Sequence, residues 1–144
     1  MSNYCTTNDI LGEIQESELI RLTDDAPKTG AINQTILTQV IENASGKIDF
    51  YVGSRYSVPF NPTPPSVESM AITIVCYRLY RRRLVPDEKN NNTEDYRDVI
   101  KFLEKIKAGD ETLDLSVNQE FSPVQANQRS TVFGWGGNYV PNSM

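Results

Sequence analysis

Apolar residues recur at three- and four-residue spacing in three long stretches of the chain, and two shorter stretches near the start show the same period more weakly. Leu37, Ile41, Ala44, Ile48 and Val52 form one stripe over about four turns. Asn33 stands where a side-chain oxygen can cap that helix, and Gly53 with YSVPFNPTPPS ends it, because proline lacks the N–H and fixes φ. A fourth helix is expected from about Ser66 to Val85, just ahead of Pro86. Val67, Met70, Ala71, Ile72, Ile74, Val75, Cys76 and Leu79 cover most of its circumference. A helix apolar nearly all round is surrounded by others, so this one is read as central. A fifth helix starts with Thr93 as its cap, carries Tyr96, Val99, Ile100, Leu103 and Ile106 as its stripe, and closes at Gly109. Before these, Thr7 or Asn8 caps a short helix running through Ile14, and ESELIRL forms a second that stops at TDDAPKTG.

Beyond Gly109 the helical period vanishes. The stretch is rich in Asn, Gln, Ser, Gly and Pro, and only TLDLSV alternates as a short strand would. The pattern predicts an all-α fold: a five-helix body with two short and three longer helices over residues 1–109, then an extended C-terminal tail over 110–144.

Composition narrows the chemistry. In 144 residues, 14 Lys+Arg stand against 19 Asp+Glu, a formal charge of −5. Such a chain does not bind nucleic acid through its overall field, so any DNA contact must be local. Histidine is absent, which removes the commonest general base and metal ligand. Cys5 and Cys76 match no metal spacing, and Cys76 sits in an apolar run as a small buried thiol. No nucleophile has a supporting motif, and neither GWGG nor SGKIDFY is a phosphate loop. No catalytic residue, metal or cofactor is expected. The opening residues lack a signal peptide's charged and apolar regions, and no apolar run approaches the roughly 20 residues of a membrane span. The expectation is a soluble protein made in a cytoplasm.

YRLYRRR, residues 77–83, is the strongest local signal. Val67, Ala71, Ile74 and Arg78 step along one helix face, Arg81 and Arg82 continue it, and Arg83 points elsewhere. Three readings stand. The cations can complement a helix C-terminus while their stems cover apolar surface. Arg78 and Arg81 can form desolvated ion pairs within the protein or with another subunit. The cluster can contact DNA phosphate, although Asp87, Glu88, Glu94 and Asp95 flank it. Asp49, one residue past Ile48, is predicted to face Arg78 or Arg55. In the tail, Phe133, Trp135 and Tyr139 sit among glycines, as a strap on the chain's own body or as anchors on a neighbour.

The segments YCTTNDILGEIQESELIRLTD, AINQTILTQVIENASGKIDFYVGSRYSVPF, YRLYRRR and YRDVIKFLEKIKAGDETL, with their spacing, resemble a family of small Mu-like phage and prophage proteins. The resemblance covers roughly residues 4–113. RSTVF (129–133) is similar to a short strand near that family's end, while GWGGNYVPNSM departs from its charged ending. The resemblance implies a structural head–tail connector subunit of the virion neck. Such subunits form a ring and contact portal and tail-completion proteins, and DNA passes through only as cargo. The alternative is a small DNA-binding or regulatory protein acting through Arg78–Arg83.

Overall fold

A computed structural model describes residues 3–25 and 28–113. They form five α-helices and, among the described residues, no strand: α1 (Thr7–Leu11), α2 (Glu16–Thr23), α3 (Gln34–Val52), α4 (Pro65–Arg82) and α5 (Thr93–Ala108). A 3-10 turn, Asp87–Lys89, lies between α4 and α5. The expected all-α body of two short and three longer helices is present. TLDLSV beyond Leu113 and the tail aromatics Phe133, Trp135 and Tyr139 lie outside the described residues.

α4 is the hub. It packs against α1, α2, α3 and α5, and α3 and α5 also pack on each other. Val67, Ala71, Ile74, Val75 and Leu79 of α4 are fully buried, facing Leu37, Ala44, Ile48 and Val52 of α3 and Leu103 and Ile106 of α5 in one core. Cys5 and Cys76 are both buried and free, and burial pushes each thiol up to about 12.

Several helix ends differ from the sequence reading, each for a local chemical reason. α1 is capped by Thr6, ahead of Thr7 and Asn8. The Thr6 hydroxyl accepts from the Asp9 N–H while the Asp9 carboxylate accepts from the Thr6 N–H, a reciprocal box. It ends at Leu11, where Gly12 and the amides of Glu13 and Ile14 close a tight turn on Ile10. Asn33 does cap α3, accepting from the Ile36 N–H at 3.2 Å. α4 opens at Pro65, suited to a first turn whose N–H would go unused. It stops at Arg82, short of Val85. The Val85 N–H bonds the Tyr80 carbonyl at 3.3 Å and the Leu84 N–H bonds the Arg81 carbonyl at 2.9 Å, a Schellman ending with Leu84 at φ 59°. Thr93 is the first residue of α5 rather than its cap, because its hydroxyl donates to the Asp87 carbonyl at 2.9 Å. Gly109 closes α5 at φ 89°, as the pattern predicts.

The body is sealed at one end by Tyr4, Tyr56, Phe60 and Leu113, all buried. The Tyr4 N–H donates to Ser45 Oγ at 3.0 Å, laying the N-terminal segment along α3. The Leu113 N–H donates to the Tyr56 hydroxyl at 2.9 Å.

Candidate functional site

The arginines of YRLYRRR divide among different tasks. Arg81 Nη1 bonds Asp87 Oδ1 at 3.0 Å, and the Tyr77 hydroxyl donates to the same oxygen at 3.1 Å. Arg97 approaches the other Asp87 oxygen at 3.6 Å. The Arg81 bond, reinforced by the others, holds the Asp87 carboxyl below its usual range. Tyr77 also stacks flat on Tyr96 of α5, with ring centroids 3.9 Å apart.

Arg82 and Arg83 reach the other way, to the end of α2. Arg82 Nη1 donates to the Leu22 carbonyl at 2.6 Å and Nη2 meets Asp25 at 2.7 Å. Arg83 pairs with Asp25 at 3.0 Å, donates from Nε to the Arg21 carbonyl at 3.1 Å and reaches the Asp24 carbonyl at 3.3 Å. The last carbonyls of a helix have no partner within it and carry partial negative charge. Two guanidiniums from the end of α4 supply the missing donors to α2. Of the two arginines expected in desolvated ion pairs, Arg81 pairs within the chain but at an exposed position and Arg78 does not pair, while Arg82 and Arg83 both meet Asp25.

Arg78 is different. Its Nε is buried with no hydrogen-bond partner, and it makes no ion pair among the described residues. Its side chain is shared by two grooves. One, of about 360 Å³, lies between α3 and α4, with Gln39, Val40 and Asn43 opposite Arg78, Arg81 and Arg82. The other, of about 260 Å³, lies between α4 and α5 against Tyr77 and Tyr96. Among the described residues, no carboxylate lines either groove. Arginines line both grooves and the side-chain amides of Gln39 and Asn43 line the first, groups able to donate to a carboxylate or another oxyanion.

Asp49 does not face Arg78 or Arg55. It accepts a hydrogen bond from the Tyr4 hydroxyl, which itself accepts from the Phe60 N–H at 3.1 Å. Because Tyr4 lies along α3, it reaches Asp49 before any arginine does. Burial raises the Asp49 carboxyl, and the Tyr4 bond pulls it the other way. Arg55 is exposed and lies over Gly109, where an added Cβ would come within 2.6 Å of Arg55 Nη1. Sequence reasoning missed Tyr4, Asp25 and Asp87 as partners. Asp87, six residues past Arg81, could have been found from proximity; Asp25 and Tyr4 are distant in sequence and carried no such signal.

Among the described residues, no group of three or more His, Cys, Asp or Glu could hold a metal ion. No helix among them is long and apolar enough to cross a membrane.

Residues 4–132 match the family model described as Bacteriophage Mu, Gp36. The chain is 32% identical over 114 residues to the Mu-like prophage FluMu protein gp36 of Haemophilus influenzae, covering 78% of each chain. It is 26% identical over 107 residues to gene product J of Escherichia phage Mu, covering 74% of this chain and 73% of that one. The family match takes in the whole described body from Tyr4 onward, the Arg78 groove included. The chain belongs to the bacteriophage Mu Gp36 family.

Proposed function

We propose that this protein is a structural subunit of the virion neck, a head–tail connector that assembles into a ring and binds portal or tail-completion proteins. Membership of a Mu phage family supports a role in the phage particle. The observation that carries the reading is Arg78, a part-buried arginine without a carboxylate of its own, set between two donor-lined grooves. Such a group is suited to pairing with a protein carboxylate at an interface, where arginine's fork gives direction as well as energy. A net charge of −5 suits a subunit beside a DNA channel, because a channel that passes DNA must not hold it.

The competing reading, duplex DNA binding through Arg78–Arg83, is less well supported. Arg81, Arg82 and Arg83 are already engaged by Asp87 and Asp25. Deleting the gene from an inducible phage tests the assignment. The expected result is filled heads and free tails that fail to join under the electron microscope, restored by the gene in trans. Complete, joined particles in its absence would overturn it.

A further inference from the structure

Arg78 has a counterpart on the far side of the same helix. Cys76 precedes it by two residues and so lies about 160° away around α4. Beside Cys76 a groove of about 190 Å³ is rimmed by Glu13, Glu68 and Asp95. All three are exposed, and none makes a side-chain hydrogen bond or an ion pair among the described residues. Among the described residues, one patch thus presents an arginine paired with no carboxylate, and another presents three carboxylates paired with no cation, with Lys89 in the groove next to Glu13.

We infer that the Arg78 groove receives a carboxylate from the Glu13–Glu68–Asp95 face of a second copy of this chain. This rests on the self-association that the proposed function requires, and it names the contact. The two surfaces are separate patches, Arg78 near the C-terminal end of α4 and Glu68 in its first turn, so the contact is heterologous: the basic patch of each copy meets the acidic patch of the next. Repeated with a fixed rotation, such contacts close into a ring or run on as a filament; they do not stop at a two-fold dimer. Charge complementarity sets the direction and register of the contact, and salt weakens its exposed part. Arg81 flanks the groove and keeps its own bond to Asp87, leaving Arg78 as the receiving cation.

The test measures mass by sedimentation over a concentration series of the full chain, at low and high salt. The variants are Arg78→Glu, Arg78→Gln and the paired Glu68→Lys/Asp95→Lys, with circular dichroism and melting as folding controls. The wild type is expected to associate at low salt, and each variant to weaken that association at least tenfold. Mixing Arg78→Glu with Glu68→Lys/Asp95→Lys is expected to restore association between the two. Glu68 and Asp95 are exposed, so their variants carry the test even where Arg78→Glu impairs folding. A wild type monomeric at high concentration overturns the inference, as does association indifferent to all the variants. Failure of the mixture to recover does so as well. Binding of a duplex DNA probe that falls steeply with salt and needs Arg78, without self-association, replaces it with phosphate recognition. Each of these results leaves the gene-deletion outcome to stand or fall separately.

Discussion

The Tyr4 hydroxyl donates to the Asp49 carboxylate and at the same time accepts from the Phe60 N–H. One phenol thereby ties the N-terminal segment, the last turns of α3 and the proline-rich loop before α4. Tyr4→Phe keeps the ring in the core but leaves the buried Phe60 amide without an acceptor and the part-buried Asp49 without its donor. An unsatisfied buried group costs about 1–3 kcal/mol. A urea midpoint lowered accordingly, at unchanged m-value, is the expected result.

Asp24 and Asp49 should pull the pH dependence of stability in opposite directions. Asp24 accepts from the N–H groups of Thr29 and Gly30 at 3.0 and 2.8 Å, and these bonds, the Thr29 amide first, lower its pKa. Its stabilisation is present above the unfolded carboxyl value, roughly 4. It is lost as pH falls through the lower folded value. Asp87 is lowered too and adds to the same acid loss. Asp49 is raised, chiefly by burial, so the folded state binds more protons in the window from the unfolded value up to the folded one. Stability at that site falls as pH rises through the window and is regained in acid. Asp24→Asn should flatten the acid limb of stability against pH, and Asp49→Asn should steepen it. Urea midpoints between about pH 3 and pH 7 measure both, and coincident limbs in wild type and variants would sink the assignment.

Leu84 sits at the C′ position of the α4 ending, where glycine is favoured, with φ 59° and 88% of its surface exposed. A residue with a Cβ pays roughly 1–2 kcal/mol in the left-handed region. Little burial is lost on removing this side chain. Leu84→Gly should raise stability by about 1 kcal/mol, less any extra entropy of the unfolded chain. A higher melting temperature with an unchanged helical spectrum is the expected observation.

The clamp on α2 should depend more on carbonyls than on charge. Arg82 meets both the Leu22 carbonyl and Asp25, and Asp25 also receives Arg83. Partly exposed ion pairs contribute about 0.2–1 kcal/mol, whereas a hydrogen bond from a charged donor is worth about 1.5–3 kcal/mol. Arg82→Ala should therefore destabilise by more than Asp25→Ala. The coupling between them in a double-mutant cycle should stay under about 1 kcal/mol. A coupling equal to the whole Arg82 effect would count against the carbonyl as the main partner.

The long helices were legible because their apolar period is regular: the stripes through Leu37–Val52 and Val67–Leu79 are the buried faces observed. Helix ends were less so, since they depend on single local bonds. Thr6 competes with its neighbours for the cap through Asp9, and a leucine at the turn of α4 carries no glycine-like signal. Arg81 and Arg82 meet Asp87 and Asp25, partners the sequence did not indicate, and Arg78 meets no carboxylate among the described residues. Asp25 and Tyr4 reach their partners across 57 and 45 residues, and no period in the chain encodes such a meeting. It follows from how α2 and the N-terminal segment pack, which is settled only in three dimensions.

The clamp of Arg82 and Arg83 on α2 spans 57 to 62 residues, while α3, α4 and α5 are consecutive in the chain and pack on one another directly. Closing long loops comes late, because the chain entropy must be spent before the contacts repay it. The three long helices are therefore expected to form first, with α1 and α2 docking onto them. In native-state hydrogen exchange the amides of α2 should open first, in a step that leaves α4 protected. Any force that pulled on the arginines at the end of α4 would loosen α2 and leave the core intact.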